Sequence, residues 1–185
     1  MPPRVKITKE AIINAAVEIV RKSGAEAINA RNVAASLNCS TQPIFSNFSS
    51  MDQLCREVVK KADELCNEYI SNEIRRGEYP EYKASGMAYI RFARQEKELF
   101  KLLYMRNRTN ESDDELALSS QMESIVLTNT GFNGDTARLF HLEMWAYVHG
   151  IAVMTATNFL DLEWDLISKM LTDCYQGLKK QYSKE

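Results

Sequence analysis

Residues 8–54 read TKEAIINAAVEIVRKSGAEAINARNVAASLNCSTQPIFSNFSSMDQL, and their apolar spacing decides the fold. Ile12, Ala15, Ala16, Ile19 and Val20 recur on the i, i+3, i+4, i+7, i+8 pattern of one buried helix face. Thr8 is suited to cap that helix, Glu10 and Arg21–Lys22 to suit its dipole, and Gly24 to close it in a left-handed conformation. A second helix is expected over residues 31–37, burying Val33, Ala34 and Leu37. Asn38 and Cys39 should form a tight turn, because asparagine tolerates positive φ. Ser40 reads as the cap of a third, short helix ending near Phe48, with Pro43 in its first turn, where a missing N–H costs nothing. Ile44, Phe45 and Phe48 are its expected apolar side. Ser50 caps a fourth helix that carries Leu54, Val58, Ala62, Leu65 and Tyr69 and dissolves in RGEYP at residues 76–80.

The rest of the chain keeps the helical period. Helices are expected over residues 82–94, 97–108, 115–129, 135–159 and 163–182, which makes an all-α protein of about nine helices. In the last of them Trp164, Ile167, Leu171, Cys174, Leu178 and Tyr182 form a narrow stripe. Such a stripe suits helix-on-helix packing, either between subunits or within one core.

Composition agrees with this class. The 185 residues are 45% hydrophobic and 26% charged, with only 7 Gly and 4 Pro, a balance that favours helices over strands. No apolar run approaches the length of about 20 residues that spans a bilayer, and MPPRVKITKE has no signal-type apolar segment. A soluble, cytoplasmic protein without membrane association is expected. Cys39, Cys55, Cys66 and Cys174 form no CxxC pair and read as reduced thiols. The net charge of −2 is unevenly spread: residues 1–55 carry six basic side chains against four acidic ones, and the remainder carries the acidic excess. That asymmetry has the sign of a nucleic-acid-binding head on an acidic body.

A helix, a tight turn and a second short helix is the layout of a DNA-binding helix-turn-helix. The end that would enter a major groove presents Ser40, Thr41, Gln42, Ser46 and Asn47, and Pro43 and Phe45 of the same helix are counted among the candidate DNA contacts. Gln42 can pair with the N6/N7 edge of adenine. The hydroxyls of Ser40 and Thr41 suit phosphate oxygens, and Arg31 adds a charge from the preceding helix.

These residues resemble the N-terminal domain of the TetR family of bacterial transcriptional repressors. That family pairs alanines in its first helix, then runs through glycine to patterns of the type xxxIAxxxGVS and xxLYxHFxxKxxL. Ala15, Ala16, Gly24, Val33, Ala34, Ser40, Ile44, Phe48 and Leu54 match in register without a gap. WAYVHG, residues 145–150, is similar to the W-x-x-x-H-G signature of one subgroup, the WHG type, of the family's C-terminal domains. The resemblance implies a DNA-binding domain over residues 1–50 and a helical ligand-binding and dimerisation domain over residues 51–185. It also implies a homodimer through the last two helices. Its departures fall on phosphate-contacting positions. The family's Tyr is Phe45, its His is Asn47 and its Lys is Met51, while the turn glycine is Asn38. Phe45 lacks the hydroxyl and Met51 the charge, which weakens phosphate anchoring.

Competing chemistry is poorly supplied. His141 and His149 lie eight residues apart on one expected helix, about 12 Å along its axis, too far to share a metal ion. No Gly-rich phosphate loop and no nucleophile elbow occurs. No enzyme activity, metal or cofactor is expected. Tyr89, Phe92, Phe100, Tyr104, Trp145 and His149 are aromatic or amphipathic and suit a small-molecule pocket, though the same residues also make an ordinary core. The reading is a TetR-like repressor that binds double-stranded operator DNA and is released by an unidentified small-molecule effector. The alternative is a helical small-molecule-binding protein with weakened DNA binding.

Overall fold

The computed structural model describes residues 7–106 and 120–183, with side chains for all of these except residues 120 and 121. Arg4 and Lys6, two of the six basic side chains counted over residues 1–55, and the start of the helix expected over residues 115–129 lie outside the described residues. Every regular element described is helical, in the order α1 (Lys9–Ser23), a single 3₁₀ turn (Ala25–Ala27), α2 (Ala30–Ser36), α3 (Gln42–Asn47), α4 (Met51–Arg76), α5 (Glu81–Gln95), α6 (Lys97–Tyr104), α7 (Ser120–Thr130), α8 (Gly134–Ala156) and α9 (Trp164–Tyr182). The all-α expectation is met. Two compact units are built from them, Met1–Leu65 with Glu96–Arg106, and Cys66–Gln95 with Asn107–Glu185.

In the first unit α1 is central. The Thr8 hydroxyl accepts from the Ala11 amide at 3.1 Å and starts the helix as expected. Its buried residues are Ile12, Ala16, Val17 and Val20, whereas Ala15 and Ile19 are half-buried. The inward stripe is turned toward Val17 because α1 packs against α2, α3 and α6 together. Leu99 and Phe100 of α6 are fully buried in the same unit. Arg21 near the end of α1 grips Glu96 with two bonds of 2.8 Å. Gly24 ends α1 at φ 80°, ψ 170°, and its N–H reaches the Val20 carbonyl at 2.8 Å. The positive φ was expected, but the ψ is not that of a left-handed helix; this region is open almost only to glycine.

The turn after α2 is fully accounted for. Asn29, which the sequence pattern did not mark as a cap, accepts the Asn32 amide at 2.9 Å and starts α2 at Ala30. Asn38 sits at φ 50°, its N–H bonded to the Ala35 carbonyl, and the Cys39 N–H returns to the Ala34 carbonyl at 3.0 Å. This is a Schellman closure with asparagine in the left-handed position. Leu37, expected in the core, is half-buried beside that turn. Thr41 rather than Ser40 takes the cap position of α3, and its side chain makes no capping bond. Ser50 caps α4 as expected, its hydroxyl accepting from the Gln53 amide at 3.2 Å.

In the second unit α5 is the hub, packing on α7, α8 and α9. Met87, Ala88, Ile90, Phe92 and Ala93 are fully buried. A β-carbon at Gly86 would come within 3.1 Å of a Leu171 methyl and 3.4 Å of a Val148 methyl, so the missing side chain lets α8 and α9 approach α5. The stripe on α9 belongs to this core. Ile167 and Leu171 are buried, and Cys174, Leu178 and Tyr182 pack around Phe140 and Met144. Cys174, Leu178 and Tyr182 stay half-buried in that packing. The α8 helix stops at Ala156, short of the expected residue 159, because Asn158 turns left-handed at φ 56° and the Phe159 N–H returns to Met154. Likewise α6 stops at Tyr104.

Glu73 is the buried charge of this unit, 2% exposed. Both of its oxygens lie 3.2 Å from Arg91 nitrogens, and one lies 3.2 Å from Arg76. The Arg91 guanidinium also stacks on Trp164, 4.4 Å from the ring centroid. Removing the carboxylate strands Arg91 against the indole. Glu73→Ala should therefore lower unfolding free energy by about 2 kcal/mol, below the full cost of a wholly buried pair because both arginines reach solvent. Gly24→Ala should cost about 1–3 kcal/mol through backbone strain alone. Urea denaturation followed by circular dichroism measures both.

Candidate nucleic-acid interface and effector site

The outward surface of α3 follows from two buried residues. Ile44 and Phe48, four positions apart, are 0% and 2% exposed. They share one side of the short helix and turn the opposite side to solvent. Gln42, Phe45 and Ser46 are exposed there, and Thr41, Pro43 and Asn47 are half-buried. Phe45, expected on the apolar side, is 54% exposed. It is one position on from Ile44, hence about 100° around the helix, and cannot share Ile44's pocket. Ser40 and Arg31 are also exposed.

Hydrogen bonding divides these groups. Ser46 donates to the Gln42 carbonyl at 2.9 Å, and the Asn47 amide donates to the Pro43 carbonyl at 2.7 Å. The Ser46 hydroxyl and one N–H of Asn47 are thus engaged by their own helix. The Gln42 side chain has no partner among the described residues, and neither does the Arg31 guanidinium. Met51 is half-buried at the start of α4. Lys9 pairs with Glu57 and lies 5.5 Å from the centroid of the Phe48 ring, so its charge is partly used in holding α1 to α4.

The expected effector residues fall in both units. Phe100 and Tyr104 belong to the first, where their rings lie 5.0 Å apart; Phe100 is fully buried and Tyr104 half-buried. In the second unit the Tyr89 hydroxyl and His149 Nδ1 are 3.0 Å apart, and Trp145 stacks on the imidazole at 4.7 Å and 15°. One helical turn between Trp145 and His149 makes that stack possible. Phe92 is fully buried and meets Tyr69 of α4 edge-on.

The sequence pattern missed a second pair of the same kind. Tyr82 and His141 Nδ1 are also 3.0 Å apart. Tyr82 and Tyr89 are seven residues apart on α5, and His141 and His149 eight apart on α8, so two aligned helices bring both pairs into register. That spacing was the available signal. Burial pushes both histidines below the ordinary value and raises the Tyr82 phenol, whose shift Tyr175 and Cys174 reinforce.

Among the described residues no group of three His, Cys, Asp or Glu side chains is placed to hold a metal ion. No described helix is long and apolar enough to cross a membrane.

A histidine whose pKa is lowered on folding binds its proton more readily in the unfolded chain. Stability should thus be constant above the unfolded value and fall as pH drops below about 6.5, levelling off under the folded values. Thermal melts from pH 7.5 to 5.0 check this, and His141→Gln should flatten part of the slope.

Residues 82–173 match the family described as tetracyclin repressor-like, C-terminal domain. No curated protein matches the sequence. Among solved structures, a TetR-like transcriptional regulator from Rhodococcus sp. RHA1 superposes with a TM-score of 0.66 at 15% identity, over 95% of this chain and 96% of that one. A member of the TetR family from Streptomyces coelicolor gives a TM-score of 0.63 at 17% identity, over 90% of this chain and 96% of that one.

Proposed function

We propose, from the match of residues 82–173 to the family described as tetracyclin repressor-like, C-terminal domain, that the chain is a homodimeric, non-enzymatic repressor of transcription acting in the cytoplasm. The observation that carries the DNA-binding part is α3 itself: Ile44 and Phe48 hold it down, and Gln42, Phe45 and Ser46 face outward beyond a closed turn. Residues 1–50 form the DNA-binding domain in this reading, and residues 51–185 the ligand-binding and dimerisation domain. Each subunit presents α3 to one major groove of a near-palindromic operator. Arg31, Ser40 and Thr41 hold phosphates and Gln42 reads adenine.

The dimer forms through α8 and α9. Their inward stripe is spent within the subunit, so a second copy meets the outward apolar residues Leu139, Leu142, Tyr147 and Leu166. A small-molecule effector binds in the second unit near Tyr89, Phe92, Trp145 and His149, an aromatic set with few polar groups. It lowers operator affinity by favouring a dimer whose two reading heads no longer match the operator spacing.

A second reading is favoured by α3's lack of any charged side chain and by the tied amide of Asn47. In it the chain is a helical small-molecule-binding protein with weakened DNA binding.

Fluorescence anisotropy with a duplex library across a salt series separates the two. The repressor should show log affinity falling steeply with log salt, by about 0.9 per neutralised phosphate. Gln42→Ala should then relax sequence preference at one base pair while leaving that slope unchanged. A flat salt response would favour the second reading.

A further inference from the structure

The exposure of Phe45 is unexplained by packing. It stands 54% exposed in a helix whose apolar needs are met by Ile44 and Phe48. Gln42 precedes it by three positions, so both project from one side of α3. The helix has no Arg, Lys, Asp or Glu over Gln42–Asn47. It therefore lacks the bidentate cation that reads guanine and the carboxylate that accepts from cytosine. The Ser46 hydroxyl and one N–H of the Asn47 amide donate to the helix backbone. Among the exposed side chains of α3, those with no bond to its backbone are the Gln42 amide and the Phe45 ring. An amide is matched to adenine N6/N7, and an apolar ring to the C5-methyl of thymine.

We propose that Phe45 is a specificity-determining residue that packs on a thymine C5-methyl group, and that α3 selects A·T pairs through Gln42 and Phe45 together. The inference rests on the DNA-binding reading above and adds to it the class of base that this helix recognises. Phosphate contacts at Arg31 and Thr41 position the helix and carry none of this discrimination.

Duplexes bound by the full chain are selected from a random library, and each thymine of the selected half-site is then replaced singly by deoxyuridine, which lacks only the methyl. One thymine per half-site should stand out. Its methyl is worth about fourfold in affinity, or about fifteenfold when removed from both half-sites, the value of one buried methyl each time. Phe45→Ala should bind the thymine and deoxyuridine duplexes equally, and Phe45→Leu should keep part of the difference. The deoxyuridine series uses the unaltered protein, so it stands whether or not the variants fold. Selection of a duplex in which no thymine responds to loss of its methyl overturns this inference and leaves the DNA-binding reading intact. So does an unchanged thymine-to-deoxyuridine ratio in Phe45→Ala. Failure to enrich any duplex at low salt overturns both.

Discussion

Burial of Ile44 and Phe48 is the contact on which the outward surface of α3 depends. A helix of six residues has no stability of its own, because nucleation costs more than so few hydrogen bonds return. Two apolar side chains one turn apart supply what is missing, and the contact of α3 with α1 is where they are spent. The same contact fixes rotation about the helix axis. Once Ile44 and Phe48 face inward, the exposure of Gln42, Phe45 and Ser46 is a matter of geometry. The cap of α1, the Schellman turn and the Ser50 cap serve that placement, each ending one helix where the next has to begin.

The second unit solves a different problem. Its central helix α5 is buried along most of its length, and a helix so enclosed needs close neighbours and satisfied polar groups. Gly86 provides the close approach. The polar groups meet partners from other helices: Tyr82 and Tyr89 meet imidazoles of α8, Lys83 meets the Thr172 hydroxyl at 2.8 Å, and Arg91 meets Glu73 and Trp164. A core of this kind has little freedom to slide, since each hydrogen bond fixes one register of the helices.

Local patterns made most of the fold legible. Thr8, Asn38 and Ser50 act where their chemistry predicts, because capping and left-handed turns depend on a few neighbouring atoms. Side-chain direction was less legible. Val17 was passed over, Phe45 was placed on the apolar side and the use of the α9 stripe was left open, and in each case the deciding fact is which other helix lies alongside. The residues expected at an effector site were legible as a composition but not as a place: Tyr89, Trp145 and His149 meet, while Phe100 and Tyr104 belong to the other compact unit. Glu73 showed no signal at all, since a glutamate on a charged helix reads as solvated until its arginines are seen.

The closure at Asn38 bears on the thermodynamics of docking. A left-handed residue with a β-carbon has few alternative backbone states, and two hydrogen bonds hold this one in place. Helix α3 leaves the turn with its direction already set. A duplex seated against it would order side chains such as Gln42 and Arg31, whose rotamers are unrestrained, and would draw little entropy from the backbone. Such a surface meets its partner as a rigid body.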